Sequence, residues 1–326
     1  MDSLKCAIVG CGGIAQVHAK ALDSILAAQL VAFADIRPER AQALADLYGG
    51  RAYSSLDQLL DREQIDVLHI CTPHYLHLPM AQAAARRGIH VFTEKPPVIS
   101  PAQWEEFQRL GDQVRVGICF QNRYNPSVQA CHELLATGRP GKILGARAFV
   151  TWNREAPYYT ESGWRGSLAT EGGGALINQA IHTLDLLGQF LGRGQAVGAS
   201  LANRHLAGVI EVEDTLEATL QFPEAQALFY ATTAYCADAP VMLELACENA
   251  TLRLEGEEFT RRWRDGTVER EDYSQTAPGK AYWGSSHRRC IEDFYACVLG
   301  DRSFRNDIPG VADTVKLMLD IYDKAR

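Results

Sequence analysis

Gly10-Cys11-Gly12-Gly13-Ile14-Ala15 decides how this chain is read. It matches G-x-G-x-x-[G/A], in the strand-to-helix context that pattern requires. Leu4–Val9 before it is a short apolar run ending in glycines, as a buried parallel strand does. Ile14, Val17, Ala21, Leu22, Ile25 and Leu26 then recur at helical spacing. Gly10 permits the tight turn, Gly12 lets backbone approach a pyrophosphate, and Ala15 keeps helix and strand close. Gly13 and Ile14 open the helix, whose N–H groups and positive dipole end suit phosphates. Leu30–Ala34 reads as a second strand, and Asp35 closes it 22 residues after Gly13. An acid there accepts from a ribose 2′-OH and repels a 2′-phosphate, so NAD is expected over NADP. Arg37 keeps NADP open, because a guanidinium can hold that phosphate.

The alternation continues outward from this turn. Pro38–Tyr48 reads as a helix with Pro near its start and Gly49 beyond its end. Ile65–Cys71 and His90–Thr93 read as buried strands, with an Ala-rich helix at Leu78–Arg87 between them. A helix near Pro101–Leu110 and a strand at Val114–Phe120 complete the series. Repeated βα units imply a parallel sheet with helices on both faces. After Gln121 the rhythm changes. Asn125–Ala136 looks helical, and Lys142–Trp152, Val212–Phe222, Ala227–Tyr235 and Val241–Leu254 are longer alternating runs. The period of two in Leu216, Ala218, Leu220 and Phe222 fits an antiparallel sheet covered on one face. Helices at Ala175–Leu191, 286–299 and 309–325 could cover it. The expected class is α/β: an N-terminal Rossmann parallel sheet (1–121), then a C-terminal α/β domain with an open, mostly antiparallel sheet (122–326). The last helix has room to pack back between the domains.

Composition narrows the function classes. The chain has 326 residues, 47% hydrophobic and 22% charged, which excludes a disordered chain. Asp+Glu outnumber Lys+Arg by 40 to 32, and the deficit is spread along the sequence. No basic footprint for nucleic acid or an anionic membrane is present. Nine scattered cysteines include no CxxC pair, which fits buried thiols better than a disulfide framework. No apolar run reaches the ~18 residues of a spanning helix, and MDSLKCAIVG enters a strand at once. The expected compartment is cytoplasmic.

Further motifs carry a resemblance. Thr72-Pro73-His74-Tyr75-Leu76-His77, Glu94-Lys95-Pro96, and GGGALINQAIHTLD at 172–185 join the glycine turn, with QNRYNP (121–126) and YWGSSH (282–287). Over nearly its whole length the chain resembles the glucose–fructose oxidoreductase / inositol dehydrogenase / MocA family. The resemblance implies a Rossmann domain, a second domain with an open sheet, and NAD(P)-linked oxidation or reduction of a sugar or cyclitol carbon. A homodimer or homotetramer through the C-terminal sheet is also implied.

Lys95 follows a strand at the edge where α/β ligands sit, and Pro96-Pro97 stiffens its backbone. Its ammonium can donate to a substrate hydroxyl and stabilise developing alkoxide. By position alone a solvent lysine capping a turn is as good a reading; the family's EKP motif assigns it to catalysis. Glu94 would orient the nicotinamide ribose or amide. His182 is the natural proton acceptor, although a lone helical His is more often a bonded core residue. Asn178 lies one turn earlier on the same face, and Asp185 one turn later is a candidate to support His182 or simply a helix residue. Many inositol dehydrogenase-like members carry Asp where this chain has Asn178, and the NQAIH form looks more like members acting at C3 of hexoses, hexosides or sugar nucleotides. Thr72 and Pro73 would cover the nicotinamide ribose, and His77 would cap or contact it. Arg123, Tyr124, Trp152, Tyr158, Trp164, Arg165 and His287 are nominated for substrate, since aromatic faces suit sugar C–H surfaces and Arg forks suit oxygens. A strand-end aromatic cluster is the bland alternative. No metal is expected, because no third ligand accompanies the NxxxH and HxxD spacings. An NAD-dependent glycosidase and a non-catalytic dinucleotide sensor remain alternatives on the same scaffold. So do reductases of non-sugar substrates such as dihydrodiols or biliverdin. Retention of both Lys95 and His182 argues against the sensor.

Overall fold

The computed structural model describes residues 3–274 and 286–325. The chain divides into two compact units, Met1–Phe120 with Ser286–Val311, and Gln121–Ser285 with Ala312–Arg326.

In the first unit, β1 (Leu4–Val9), α1 (Gly13–Asp23), β2 (Ala28–Ala34), α2 (Pro38–Tyr48) and β3 (Arg51–Tyr53) are followed by α3 (Leu56–Arg62) and β4 (Val67–Ile70). Then come α4 (His77–Ala85), β5 (His90–Thr93), α5 (Pro101–Gln108) and β6 (Val116–Ile118). The strands pair in parallel in the order β3-β2-β1-β4-β5-β6. Order reverses at β1, and in open α/β sheets the crevice beyond the strand ends at that switch is where ligands sit. Ile8, Phe33, Leu68, Val91 and Phe92 are fully buried, as strands covered on both faces require. The short β3 and α3 were not foreseen, because three residues of strand and seven of helix are too few to show a clear period.

In the second unit α6 (Pro126–Ala136), β7 (Ile143–Thr151) and α7 (Ala156–Thr160) precede a π-helical turn, Ala175–Ala180, which runs into α8 (Ile181–Leu191). The remaining strands are β8 (Gln195–Ala202), β9 (Thr215–Gln221), β10 (Gln226–Thr232), β11 (Met242–Cys247), β12 (Ala250–Glu255), β13 (Glu258–Trp263) and β14 (Val268–Asp272). They form one sheet in the order β14-β13-β12-β11-β7-β10-β9-β8, antiparallel except for the parallel pair β7–β10. On β9, Leu216 and Leu220 are buried and Glu217 is exposed, the alternation its sequence carries. The run Val241–Leu254, read as one stretch, turns at Glu248-Asn249 into β11 and β12.

The chain closes with α9 (His287–Leu299) and α10 (Ile308–Lys324). Ser286–Val311 counts with the first unit, whereas the sequence placed all of 122–326 in one domain. The reason is local packing. The Phe294 ring lies 5.2 Å from Phe92, and a Cβ on Gly117 would come 2.6 Å from it. Asn306 accepts from Ile118 N at 2.9 Å and donates from its side chain to Phe120 O at 3.1 Å. All nine cysteines are free, and seven of them are buried. Among the described residues no helix is long and apolar enough to cross a membrane.

Candidate functional site

In the first unit the glycine turn has the geometry its sequence requires. Gly10 holds φ +83°, and a Cβ there would lie 2.8 Å from the backbone of Cys71. Gly12 precedes α1 with no side-chain cap, and a Cβ on Gly12 or Gly13 would meet nothing within 4 Å. Ile14, half-buried, follows in the first turn, which carries no acid. Asp35 accepts from Cys11 N at 2.6 Å through one oxygen and from Arg37 N at 2.8 Å through the other. Each oxygen keeps a further lone pair for a hydroxyl. Open backbone, an uncapped helix start and a fixed carboxylate fit a dinucleotide. Arg37 itself is exposed.

Beyond β4, Thr72 and Pro73 are half-buried. His77 is fully buried; its Nδ1 faces Pro96 O at 2.7 Å and its Nε2 faces Thr72 O at 2.9 Å. The ring expected to touch cofactor instead ties the Thr72 loop to the loop after β5. There Glu94 is buried, Lys95 is half-buried, and the Lys95–Pro96 peptide is cis. Glu94 accepts from its neighbour's N–H at 3.3 Å and meets His18 Nε2 at 2.9 Å. His287, expected to bind substrate, is 5% exposed with its ring 6.4 Å from His18. Burial pushes it down to about 4, with His18 and Lys95 adding to the fall against the pull of Glu94, so it is neutral at physiological pH. Tyr282–Ser285 of the YWGSSH stretch lie outside the described residues.

In the second unit Asn178, Gln179 and His182 stand half-buried on the π-turn and the first turn of α8. Glu213 holds that turn from outside, accepting from Gly174 N at 2.9 Å and Leu176 N at 3.0 Å. Tyr322 donates to the same carboxylate at 2.9 Å. The glycines are now explained. A Cβ on Gly173 would lie 2.0 Å from Tyr322 Oη, and one on Gly174 would lie 1.9 Å from Glu213 O. Around this turn Gln179 donates to Tyr158 Oη at 2.9 Å, and the Arg165 guanidinium lies 4.4 Å from the Tyr158 ring centre and 4.8 Å from that of Trp164. Gln121 Nε2 approaches His182 Nε2 at 3.4 Å. An amide nitrogen only donates, so this ring nitrogen accepts, the form that can take a proton.

Residues 4–118 match the model described as oxidoreductase family, NAD-binding Rossmann fold, and residues 128–253 match the GFO/IDH/MocA C-terminal domain. The chain belongs to this family. It is similar to the WlbA dehydrogenase from Bordetella pertussis, whose structure was solved with NADH and UDP-GlcNAcA. The two are 28% identical with a TM-score of 0.85, over 99% of this chain and 97% of that one. A D-glucoside 3-dehydrogenase of Escherichia coli is 32% identical over 58% of this chain and 54% of its own length. A glucose-6-phosphate 3-dehydrogenase of Bacillus subtilis is 29% identical over 56% and 52%. The chain thus spans about half the length of these curated relatives. As a member of the family, its first unit is an NAD-binding Rossmann domain.

Two residues nominated for substrate are buried and bonded within the second unit. Arg123 is 2% exposed and clasps Asp185 through Nε at 2.8 Å and a second nitrogen at 2.5 Å. Trp152 is 6% exposed and donates to Ala239 O at 3.1 Å. Tyr124 is half-buried in the turn Gln121–Tyr124. Tyr158, Trp164 and Arg165 remain grouped and partly accessible.

Sequence reasoning missed Glu171. Fully buried, it accepts from Gly166 N at 2.5 Å and from the Asn178 side-chain nitrogen. That fixes the amide with its nitrogen towards Glu171. Burial pushes the Glu171 carboxyl up to about 7, against the hydrogen bonds and Arg165, which favour the charge. Its unfolded value is near 4.5. The protonated form is therefore favoured by folding, and its contribution is full below about 4.5 and lost as pH rises through 7. That amounts to ~3 kcal/mol. Glu171→Gln is expected to flatten this fall between pH 5 and 7.5, read from denaturant midpoints; a slope equal to the parent's would refute the assignment.

Proposed function

We propose that the chain is an NAD-dependent dehydrogenase acting on a secondary alcohol of a sugar or cyclitol, with C3 of a hexose or hexoside as the first candidate. The observation that carries this reading is the half-buried Asn178, Gln179 and His182, bordered by the stacked Tyr158, Arg165 and Trp164. Hydroxyl-sized donors and acceptors beside flat faces are what a sugar ring requires. NAD, when bound, supplies the acceptor for hydride. Lys95 polarises the substrate hydroxyl and stabilises the oxygen as charge develops. His182 takes the hydroxyl proton on Nε2. The carbinol C–H and O–H bonds break together with formation of the ketone, so one hydride and one proton leave. The relatives named for 3-dehydrogenation of glucosides and glucose 6-phosphate support this position on the ring.

The test is formation of reduced nicotinamide from D-glucose 6-phosphate, methyl D-glucosides, levoglucosan, myo-inositol and UDP-sugars, with NAD and NADP. Oxidation of a hexose or hexoside is expected. NAD is expected to be preferred at least tenfold, and Asp35→Ala to erase that preference. Cofactor binding without turnover, together with glucoside cleavage, would replace this reading by the glycosidase one. For assembly, the same reading gives a homodimer or homotetramer through the eight-stranded sheet, whose strands carry the exposed Leu144 and Leu228. A monomer by light scattering would remove that part.

A further inference from the structure

Behind Glu94 the first unit holds a line of hydrogen bonds that the reaction above does not use. Glu94 Oε1 meets His18 Nε2 at 2.9 Å, His18 Nδ1 meets His69 Nδ1 at 3.0 Å, and His69 Nε2 meets Tyr295 Oη at 3.0 Å. His18, His69 and Tyr295 are each 0% exposed. They come from three elements, α1, β4 and α9, so the line is built by the fold and not by one stretch of sequence. On the other side Glu94 Oε2 accepts the backbone N–H of Lys95 at 3.3 Å.

Proton counting constrains the line. The two Nδ1 atoms face each other, so only one of them carries hydrogen. If His18 holds that hydrogen as well as the one on Nε2, the ring is a cation. It then donates to both Glu94 and His69, and His69 donates on to Tyr295. If His69 holds it, His18 is neutral, and Tyr295 must turn its hydroxyl to His69. Both arrangements satisfy every ring nitrogen, so charge decides between them. Glu94 is a buried carboxylate, and an uncompensated buried charge is costly. Burial raises its carboxyl, but the His18 hydrogen bond and charge, with His287 and Lys95, hold it well below the usual range. His18 is raised to about 9 despite burial, by Cys119 and Glu94. His69 is pushed well down by burial and by the His18 charge. The other titratable groups around the pair are Cys71, Cys119 and His287, all buried.

We propose that His18 is a positioning residue: it supplies the counter-charge of Glu94 from within the core and fixes that carboxylate against the backbone of Lys95. Without His18, and with His287 neutral, the positive charge left to act on Glu94 would be the Lys95 ammonium, which the substrate needs. The inference rests on the catalytic reading of Lys95. His18, Glu94 and Cys119 also offer three ligand atoms within 4.8 Å of one another. A metal there would have to displace the hydrogen shared by the His18 ring and the Glu94 carboxylate.

The experiment uses the whole chain without added cofactor, with 15N-labelled histidine. One imidazole is expected to stay doubly protonated through pH 8, and its signals to vanish in His18→Gln. A His18 ring that is neutral at pH 7 overturns the proposal, as does stoichiometric zinc removed together with the His18 signal shift. In the assay of NAD with methyl D-glucoside, His18→Gln is expected to lower kcat by 10- to 100-fold with KM within threefold. The acid limb of its kcat profile should also rise by at least one pH unit, as Glu94 regains a proton. Should His18→Gln not fold, the protonation state in the parent protein still decides. If Lys95→Met is inactive while a folded His18→Gln matches the parent, this inference fails alone; if Lys95→Met stays active, the reading beneath it fails.

Discussion

Lys95→Met is expected to lower the rate of substrate oxidation by about 10³-fold, on the order of 4 kcal/mol in the barrier, while NAD still binds. Methionine keeps the length and apolar stem of lysine and removes the ammonium. Lys95 stands half-buried at the end of β5, with its backbone held by Glu94 on one side and, through Pro96 O, by His77 on the other. An anchored backbone fixes where the side chain starts and keeps the ammonium within reach of one site. Removing one such donor from a developing oxyanion typically lowers the rate by 10²–10³, and loss of the positive charge adds to that. The check is kcat alongside NAD affinity from quenching of protein fluorescence. A rate within tenfold of the parent would remove Lys95 from the chemistry. Lost NAD affinity at normal kcat would make it a cofactor contact.

The legible part of this protein is the part written locally. The glycine turn, β1, α1, β2 and Asp35 lie within 35 consecutive residues, and each has its own cue: a period, a glycine or a terminal acid. The antiparallel run around Leu216–Phe222 was legible for the same reason. What escaped depends on pairs far apart in the chain. His18 meets Glu94 across 76 positions and His69 meets Tyr295 across 226, and neither histidine stands in a recognisable motif. Arg123 looked like a substrate fork because nothing nearby announced Asp185. Glu171 sat beside the glycines without any pattern to show that Gly166 and Asn178 would both donate to it. The π-turn at Ala175–Ala180 was likewise hidden, since its sequence has an ordinary helical period and Glu213 with Tyr322 impose the wider turn from elsewhere. Such turns recur at functional sites, where one extra residue re-aims a side chain.

Arg123→Met is expected to destabilise the protein by 3–5 kcal/mol, the usual result of leaving one member of a buried ion pair without the other. Asp185 is 1% exposed and also accepts from Thr314 Oγ1 at 2.6 Å, so after the substitution its charge has one neutral donor in place of a bidentate cation. The thermal midpoint should fall by roughly 10 °C, at about 2–4 °C per kcal/mol for a unit of this size. Arg123→Met combined with Asp185→Leu should recover more than half of the loss, because two apolar groups of similar volume replace a pair whose desolvation offsets much of its attraction. The pair also joins the turn that carries Gln121 to the helix that carries His182, one turn before Asp185. The single variant should therefore lose kcat as well, and the double variant should regain stability more fully than rate, since neither new side chain fixes the angle between turn and helix. A single variant of normal stability with a raised KM would return Arg123 to the substrate contacts. A double variant no more stable than the single one would mean that the fold needs the charge pair itself.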